Sequence, residues 1–387
     1  MNIKYQIDSK SISSKEFDIK FAFQCALLCL YSIIVILYLS GCAPKTNEVN
    51  TTPTLSQLAL TDTTINAWRY NALKNQIYFL NSQNQSIDII DVSNQSIVDQ
   101  HKLEDESDIL FLDLSPNHNT LAICYKREQD YYISLTDISG QLTALTVTNE
   151  FKTRNTVTNL ALGNNNDVYI NFIDENNLLR LSKLDYNDNP PTQHNFERVN
   201  LNILSINHDG TSLFTLTNTI LGDNTTQWSI QEQTPSTLTE DNELYRGIDI
   251  KNPRLIKPAN NELLFAFSEN GTLSFDGSVP IFNSATLENI GSLQVTGDIS
   301  ALAITNDGSR ALVAHTNDLT NASTSTSTHS NIHDVHIFDL RQSGYPELGS
   351  YELPGAVSSD GLIATSDNKI VAKIVDGNNT NIVFLIP

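Results

Sequence analysis

One unit recurs along most of this 387-residue sequence: a β-forming run, a polar turn rich in Asn or Asp-Gly, a second β-forming run and a third. Because Asn and Gly tolerate positive φ, such turns between alternating apolar runs indicate hairpins. The clearest copies span residues 111–124, 204–216 and 302–314. We predict that the first runs end, about 49 residues apart on average, at Tyr70, Leu114, Leu162, Ile206, Lys257, Ile304 and Thr365.

A repeat of this length is typical of the blades of a β-propeller. One four-stranded sheet cannot bury both of its faces, whereas sheets stacked around an axis bury each face against a neighbour. Seven copies therefore predict an all-β fold, a seven-bladed β-propeller of four-stranded antiparallel blades, with six or eight blades as the alternatives. No segment has a sustained apolar period of 3.6 residues, so few helices are expected.

The final unit offers only three predicted strands, within residues 362–386. An alternating run, Leu55–Leu60, stands unmatched before the first unit. We predict that this run forms the outer strand of the last blade, which closes the ring and covers a sheet edge. The Ser/Thr-rich residues 318–331 separate two strands of the sixth unit and are predicted to form a loop.

The amino-terminal residues have the parts of an export signal: lysines, the apolar run Phe21–Leu39 and then small residues. Leu39, Ser40, Gly41 and Cys42 resemble the bacterial lipobox. The resemblance implies cleavage before Cys42 and acylation of its sulfur and of the new amino terminus, which together give a stable membrane anchor. The alternative is an uncleaved spanning helix, since the apolar run is just long enough to cross a bilayer.

These expectations divide the chain into a signal peptide (1–41), a flexible tether (42–54) and a propeller domain (55–387). The tether contains two prolines and little apolar bulk, which is typical of a linker. Ala43 follows the proposed lipidation site. By resemblance to proteobacterial sorting, this residue favours the outer membrane over the inner one, at the periplasmic face or the cell surface.

The four cysteines agree with this reading. Cys25 and Cys29 leave with the leader and Cys42 is acylated, so Cys124 remains alone and no intramolecular disulfide is expected in the mature chain. Cys124 stands in an alternating apolar run, which predicts a buried, unreactive thiol.

The charge of the chain excludes one class of partner. It has 23 basic and 44 acidic residues, a formal net charge of −21, and no basic run. Nucleic-acid binding requires Lys and Arg to displace counterions from phosphates. Nucleic acid is therefore not expected as a partner.

The hairpin turns and the third runs that end in Asp resemble the YVTN/lactonase-like and WD40-like propellers of bacteria. Four third runs end in this way, at Asp91, Asp137, Asp185 and Asp339. The resemblance covers about Leu55 to Pro387. It implies a fold much more than an activity.

Few residues suggest chemistry. The sequence lacks a Gly-x-Ser-x-Gly elbow, a phosphate-binding loop and an oxygen-rich calcium loop, so no catalytic residue, cofactor or metal site is predicted. His329, His333 and His336 would share one face of a helix, as zinc ligands require. Here they span a polar loop and the start of a strand, which favours solvated or edge histidines. Trp68 and Trp228 lie in predicted strands, where core packing is expected.

The sequence therefore favours a lipoprotein of the outer membrane whose propeller is a protein-binding scaffold in the cell envelope. Its expected partners are the membrane, through the lipid anchor, and another envelope protein. The alternative is a lactonase-like hydrolase of a sugar lactone or ester at the axial funnel. Arg69 and Asp113, from first strands, are candidate residues for that activity. A purely structural surface protein is a third possibility.

Overall fold

Alternating apolar residues and polar turns form β-strands throughout the described chain. The computed structural model describes residues 54–386 apart from 62, 104–106, 141, 143–144, 146–148, 197–198, 207–211, 223–225, 235–238, 248–252, 257–262, 269–277, 284–285, 287, 296–297, 318–331 and 377–378. These residues belong to one compact unit, Pro53–Pro387. The predicted signal peptide, the tether up to residue 53, Lys257 and the 318–331 segment lie outside the described residues.

The described elements are all strands. In the first half of the unit they are β1 (Thr54–Leu60), β2 (Ile65–Asn71), β3 (Gln76–Asn81), β4 (Ser86–Asp91), β5 (Ser96–Lys102), β6 (Asp108–Leu114), β7 (Thr120–Arg127), β8 (Asp130–Asp137), β9 (Glu150–Thr153), β10 (Thr156–Leu162), β11 (Asp167–Ile173), β12 (Leu179–Asp185), β13 (Thr192–Asn195) and β14 (Asn202–Ile206). In the second half they are β15 (Leu213–Ile220), β16 (Thr226–Thr234), β17 (Thr239–Gly247), β18 (Pro253–Ile256), β19 (Leu263–Ser268), β20 (Ser278–Asn283), β21 (Asn289–Gln294), β22 (Asp298–Ile304), β23 (Arg310–Asn317), β24 (Ile332–Asp339), β25 (Glu347–Glu352), β26 (Val357–Ala364), β27 (Ile370–Asp376) and β28 (Asn379–Ile386). Within this part of the chain, no helix has the length and apolarity needed to cross a membrane.

The strands pair into four-stranded antiparallel sheets. The described residues contain seven: sheet 1 (β2–β5), sheet 2 (β6–β9), sheet 3 (β10–β13), sheet 4 (β14–β17), sheet 5 (β18–β21), sheet 6 (β22–β25) and sheet 7 (β26, β27, β28 and β1). The first strand of each sheet contacts the first strand of the next, from β2 and β6 to β22 and β26. Sheets that stack in this order around their first strands form a β-propeller. The predicted all-β propeller of four-stranded antiparallel blades is thereby confirmed.

The first described strand joins the last sheet. Strand β1 pairs with β28 along its whole length, from Thr54 opposite Ile386 to Leu60 opposite Thr380. The predicted pairing of the Leu55–Leu60 run with the carboxyl-terminal unit is therefore confirmed. Leu60 is buried in a cluster that holds residues of both sheet 7 and sheet 1, so this strand also contributes to the contact between them.

The inner strands are apolar on both faces because each sheet lies between two others. In β3, Ile77 and Phe79 belong to the core that sheet 1 shares with sheet 7. Tyr78 and Leu80 belong to the core that it shares with sheet 2. Successive side chains of a strand point to opposite faces, so a continuous apolar run is the expected sequence of a strand buried on both sides.

The turn between the first two strands has a recurrent hydrogen-bond pattern. In sheet 6, the Thr305 hydroxyl donates to Asp307 at 2.7 Å and accepts from the Arg310 amide at 3.0 Å. Thr365 does the same with Asp367 and the Lys369 amide. This pattern corrects the predicted boundary at Thr365: β26 ends at Ala364, and Thr365 is the first residue of the turn because its hydroxyl satisfies the turn backbone. The predicted end at Tyr70 is also wrong by one residue, because Asn71 still pairs with Gln76 and ends β2.

The third strands end in Asp for a related reason. Strands β4, β8, β12 and β24 end at the predicted positions, Asp91, Asp137, Asp185 and Asp339. Each carboxylate accepts a hydrogen bond from a backbone amide two or three residues later. The residue therefore ends the strand by capping the turn that follows it.

The closing strand offers a matched pair of substitutions. Leu60→Ala removes a side chain that is 6% exposed, whereas Leu55→Ala alters one on the same strand that is 44% exposed. We expect Leu60→Ala to lower the free energy of unfolding by about 2–4 kcal/mol and Leu55→Ala to change it by less than about 0.5 kcal/mol. Urea unfolding measures both values. Equal effects would show that β1 does not stabilise the closed ring through Leu60.

Candidate functional site

Arg69 and Asp113, the candidate residues of the hydrolase alternative, lie near the carboxyl ends of the first strands of sheets 1 and 2. Arg69 Nε of β2 lies 2.5 Å from Asp113 Oδ1 of β6. The second oxygen, Asp113 Oδ2, accepts a hydrogen bond of 2.8 Å from the Leu162 amide of β10. One carboxylate therefore connects the first strands of sheets 1, 2 and 3.

This geometry leaves Asp113 without a free oxygen. The residue is 8% exposed, and both carboxylate oxygens have donors. Burial disfavours the charged Arg69 guanidinium, but the charge and hydrogen bond of Asp113, with Asp360 nearby, more than offset it and the pKa of Arg69 is raised. A general base needs a lone pair directed at its substrate, so the pair as built connects sheets and does not resemble an acid–base centre.

Four other first strands carry no charged residue at the position of Arg69 and Asp113. The strand register gives the residues equivalent to Arg69 and Asp113 in four other first strands. They are Ala161, Ser205, Ala303 and Ile363. Small or apolar side chains therefore occupy this position in sheets 3, 4, 6 and 7.

A second polar contact lies where sheet 7 meets sheet 1. Trp68 Nε1 donates to the Asp360 carbonyl at 2.5 Å, and Lys373 Nζ lies 3.0 Å from Asp360 Oδ1. The same ammonium is 5.6 Å from the centre of the Trp68 ring. Lys373 is 3% exposed, so its charge is satisfied inside the protein. The sequence contained a signal for this contact, a lysine within the apolar run 370–375, but we did not single it out.

One cavity near the outer strands has a volume of about 250 Å³. It lies against sheet 7, and its lining residues carry no titratable side chain: Gln57, Pro354, Gly355, Ala356, Ile374, Val375 and Asn381. A hydrolytic site requires a nucleophile or a base in its wall. The cavity therefore offers space without catalytic groups.

The histidines with zinc-ligand spacing in the sequence are not brought together where the structure describes them. His329 lies outside the described residues, and His333 and His336 lie on β24. Their partners on β23 are Thr316 and Val313, so the two side chains point to opposite faces of sheet 6. The structure brings His336 to His315 instead, with 4.5 Å between the ring centres. His315 was not singled out from the sequence, because it is separated from His336 by the 318–331 segment.

Cys124 and Trp68, two further residues of interest, are packing groups. Cys124 is fully buried in the core between sheets 2 and 3, and burial raises the pKa of its thiol, which makes a thiolate unfavourable. Trp68 is also buried, and Trp228 lies in β16. Cys42 and the lipobox-like residues lie outside the described residues.

Comparisons with known proteins agree on the fold. No protein-family profile matches the sequence, and no curated protein matches it. Among solved structures, the β-propeller domain of Cps50 (Swd1) from Myceliophteria thermophila has a TM-score of 0.57 and 12% identity, and the match covers 85% of this chain and 99% of that one. A chain of the mitotic checkpoint complex has a TM-score of 0.59 and 12% identity, over 89% and 95% of the two chains. A chain of hydrazine synthase from Kuenenia stuttgartiensis has a TM-score of 0.55 and 12% identity, over 81% and 94%. At this identity the similarity shows a WD40-like β-propeller fold alone.

The role of the Arg69–Asp113 pair can be measured with a double-mutant cycle. We expect Asp113→Asn to lower the free energy of unfolding by about 1–3 kcal/mol, because Asn has one acceptor oxygen for two donors. With Arg69→Met, the cycle should give a coupling of roughly 0.5–1 kcal/mol, since the Arg69 side chain is 39% exposed. Arg154→Met is the control, because its side chain is 90% exposed. Zero coupling would mean that the pair does not connect the sheets.

Proposed function

We propose that this chain is an outer-membrane lipoprotein whose seven sheets act as the blades of one propeller, and that this propeller binds another protein of the cell envelope. The observation that carries the proposal is that the charged side chains near the first strands are engaged in contacts with the protein itself. Arg69, Asp113, Asp360 and Lys373 form contacts within and between the sheets. The ring is then a frame, and recognition falls to the turns and outer strands.

The fold shared with the compared propellers is consistent with a binding role but does not decide between binding and catalysis. One belongs to a structure of a mitotic checkpoint complex, which is an assembly of proteins. Another belongs to a structure of hydrazine synthase, an enzyme. Because one fold serves both uses, the choice for this chain rests on its own residues. Those residues favour binding, since the Asp113 carboxylate of the candidate acid–base pair already bonds to Arg69 and to the Leu162 amide.

The two ends of the ring each carry an exposed apolar side chain that a protein partner could cover. Leu73, in the turn between β2 and β3, is 70% exposed. Ile220, at the end of β15, is 72% exposed. Turns that join first and second strands lie at one end of an antiparallel sheet, and turns that join second and third strands lie at the other. Leu73 and Ile220 therefore lie at opposite ends of the propeller.

The lipid anchor is supported by the sequence alone. Leu39, Ser40, Gly41 and Cys42 stand at the end of the apolar run, where a lipoprotein leader would be cleaved. A diacylglyceryl group with a further acyl chain would hold the protein at a membrane. Confinement to a membrane raises the effective concentration of a scaffold toward partners in the same envelope.

The lactonase-like alternative is favoured by one observation, the convergence of Arg69 and Asp113. It requires Asp113 to release a donor before it can act as a base. Turnover of sugar lactones by the purified protein, lost in Asp113→Asn while the fold is retained, would establish that alternative.

Photo-crosslinking in intact cells tests the binding role. A photoreactive residue replaces Leu73 in one strain and Ile220 in another, and captured proteins are identified by mass spectrometry. We expect one envelope protein to be captured specifically from one of the two positions, because a partner that occupies one end of the ring leaves the other free. Capture of the same abundant proteins from both positions would contradict a specific scaffold.

The anchor is tested by Cys42→Ala, with Cys124→Ala as the matched control. We expect the first variant to leave the membrane fraction and the second to stay in it, because acylation needs the thiol at position 42 and Cys124 is buried. Cell fractionation with immunoblotting measures the distribution. If Cys42→Ala remains entirely with the membrane, the alternative of a spanning helix is supported instead.

A further inference from the structure

Two histidines and a carboxylate converge on one face of sheet 6. His315 of β23 lies directly opposite Asp334 of β24, and Val313 lies opposite His336. Residues that oppose each other, and those two positions along, share one face of a sheet. His315, Asp334 and His336 therefore lie on the same face, and one ligand atom from each lies within 4.8 Å of the others.

Each of the two imidazoles has a buried nitrogen without a hydrogen-bond partner among the described residues. His315 is 4% exposed, and its Nδ1 is buried without a hydrogen-bond partner among the described residues. His336 Nε2 is also buried, and it too has no partner in the described part of the chain. An unsatisfied buried nitrogen costs about 1–3 kcal/mol, so two of them side by side require an explanation.

The hydrogen bond of His336 leaves one of its ring nitrogens for a metal ion. His336 Nδ1 lies 2.8 Å from Glu347 Oε1 of β25. Because a carboxylate accepts, Nδ1 carries the proton and the lone pair lies on Nε2. A carboxylate behind a metal-binding histidine has this arrangement.

We propose that His315 Nδ1, His336 Nε2 and the Asp334 carboxylate bind one divalent transition-metal ion, with Zn²⁺ as the ion that fits best. Imidazole nitrogens and a carboxylate oxygen are ligands of zinc at about 2.0–2.2 Å, distances that small side-chain rotations would reach. Glu347 is a positioning residue, since it acts through His336. Three protein ligands leave the fourth position of a tetrahedral site for water or for an atom of another molecule.

The position of the site gives the ion a structural consequence. Residues 318–331 connect β23 to β24, and His315 and Asp334 lie close to the two ends of that connection. An ion bound to both strands would cross-link them where a long connection separates them in sequence. Such a cross-link stabilises the folded state by an amount that rises with the logarithm of the free metal concentration above the Kd. The proposal does not depend on the lipid anchor or on the identity of a protein partner.

The test uses the full chain, purified in detergent, stripped with chelator and titrated with Zn²⁺ alone. We expect the wild type to bind about one ion per chain and to melt at a higher temperature with the ion. Asp334→Asn and His336→Gln should weaken binding by more than the roughly 10- to 100-fold typical of an outer-shell change, whereas Glu347→Gln should fall within that range. Co²⁺ in place of Zn²⁺ should give visible absorption that each ligand variant loses.

The matched control is His333→Ala, because His333 lies on the same strand with its side chain on the other face. It should bind Zn²⁺ as the wild type does. A thermal melt of each variant in chelator shows whether that variant folds without metal. Asp334→Asn removes a charge and keeps the shape of the side chain, so it is the variant that disturbs packing least. The proposal is wrong if the stripped wild type binds no Zn²⁺, if folded Asp334→Asn binds it unchanged, or if His333→Ala loses it equally.

Discussion

The pairing of β1 with β28 is the contact on which the rest of the ring depends. A row of stacked sheets has two uncovered faces at its ends, and each would expose apolar side chains to water. Strand β1 completes sheet 7 from the amino-terminal side, and sheet 7 shares a core with sheet 1. The contact thus converts an open array into one in which the described inner strands of sheets 1 and 7 are covered on both faces.

Closure also explains where the charged residues lie. Asp113 and Lys373 lie near the first strands with little exposure to water, so their charges must be paired. Lys373 pairs with Asp360 and lies near Trp68, where the first and last sheets meet. Arg69 pairs with Asp113 between sheets 1 and 2.

Much of the fold could be predicted because its signals are local. Turn residues, third strands that end in Asp91 or Asp339, and the unmatched run Leu55–Leu60 can all be identified within a few residues of sequence. The error at Thr365 is local too, since a β-branched residue there serves a turn. The contact of Arg69 with Asp113 could not be derived, because it depends on how two sheets stack and on the height of each residue along its strand.

The histidines illustrate the same limit most clearly. Spacing along the chain groups His333 with His336, yet an interval of three residues places them on opposite faces of a strand. The register of β23 and β24 places His336 beside His315. A short sequence motif cannot pair these two residues, because a long connection separates them. In a protein made of strands, ligand sets are defined by residues that oppose each other and by alternate positions. A search of such a sequence for metal sites therefore has to pair strands first and count spacings second.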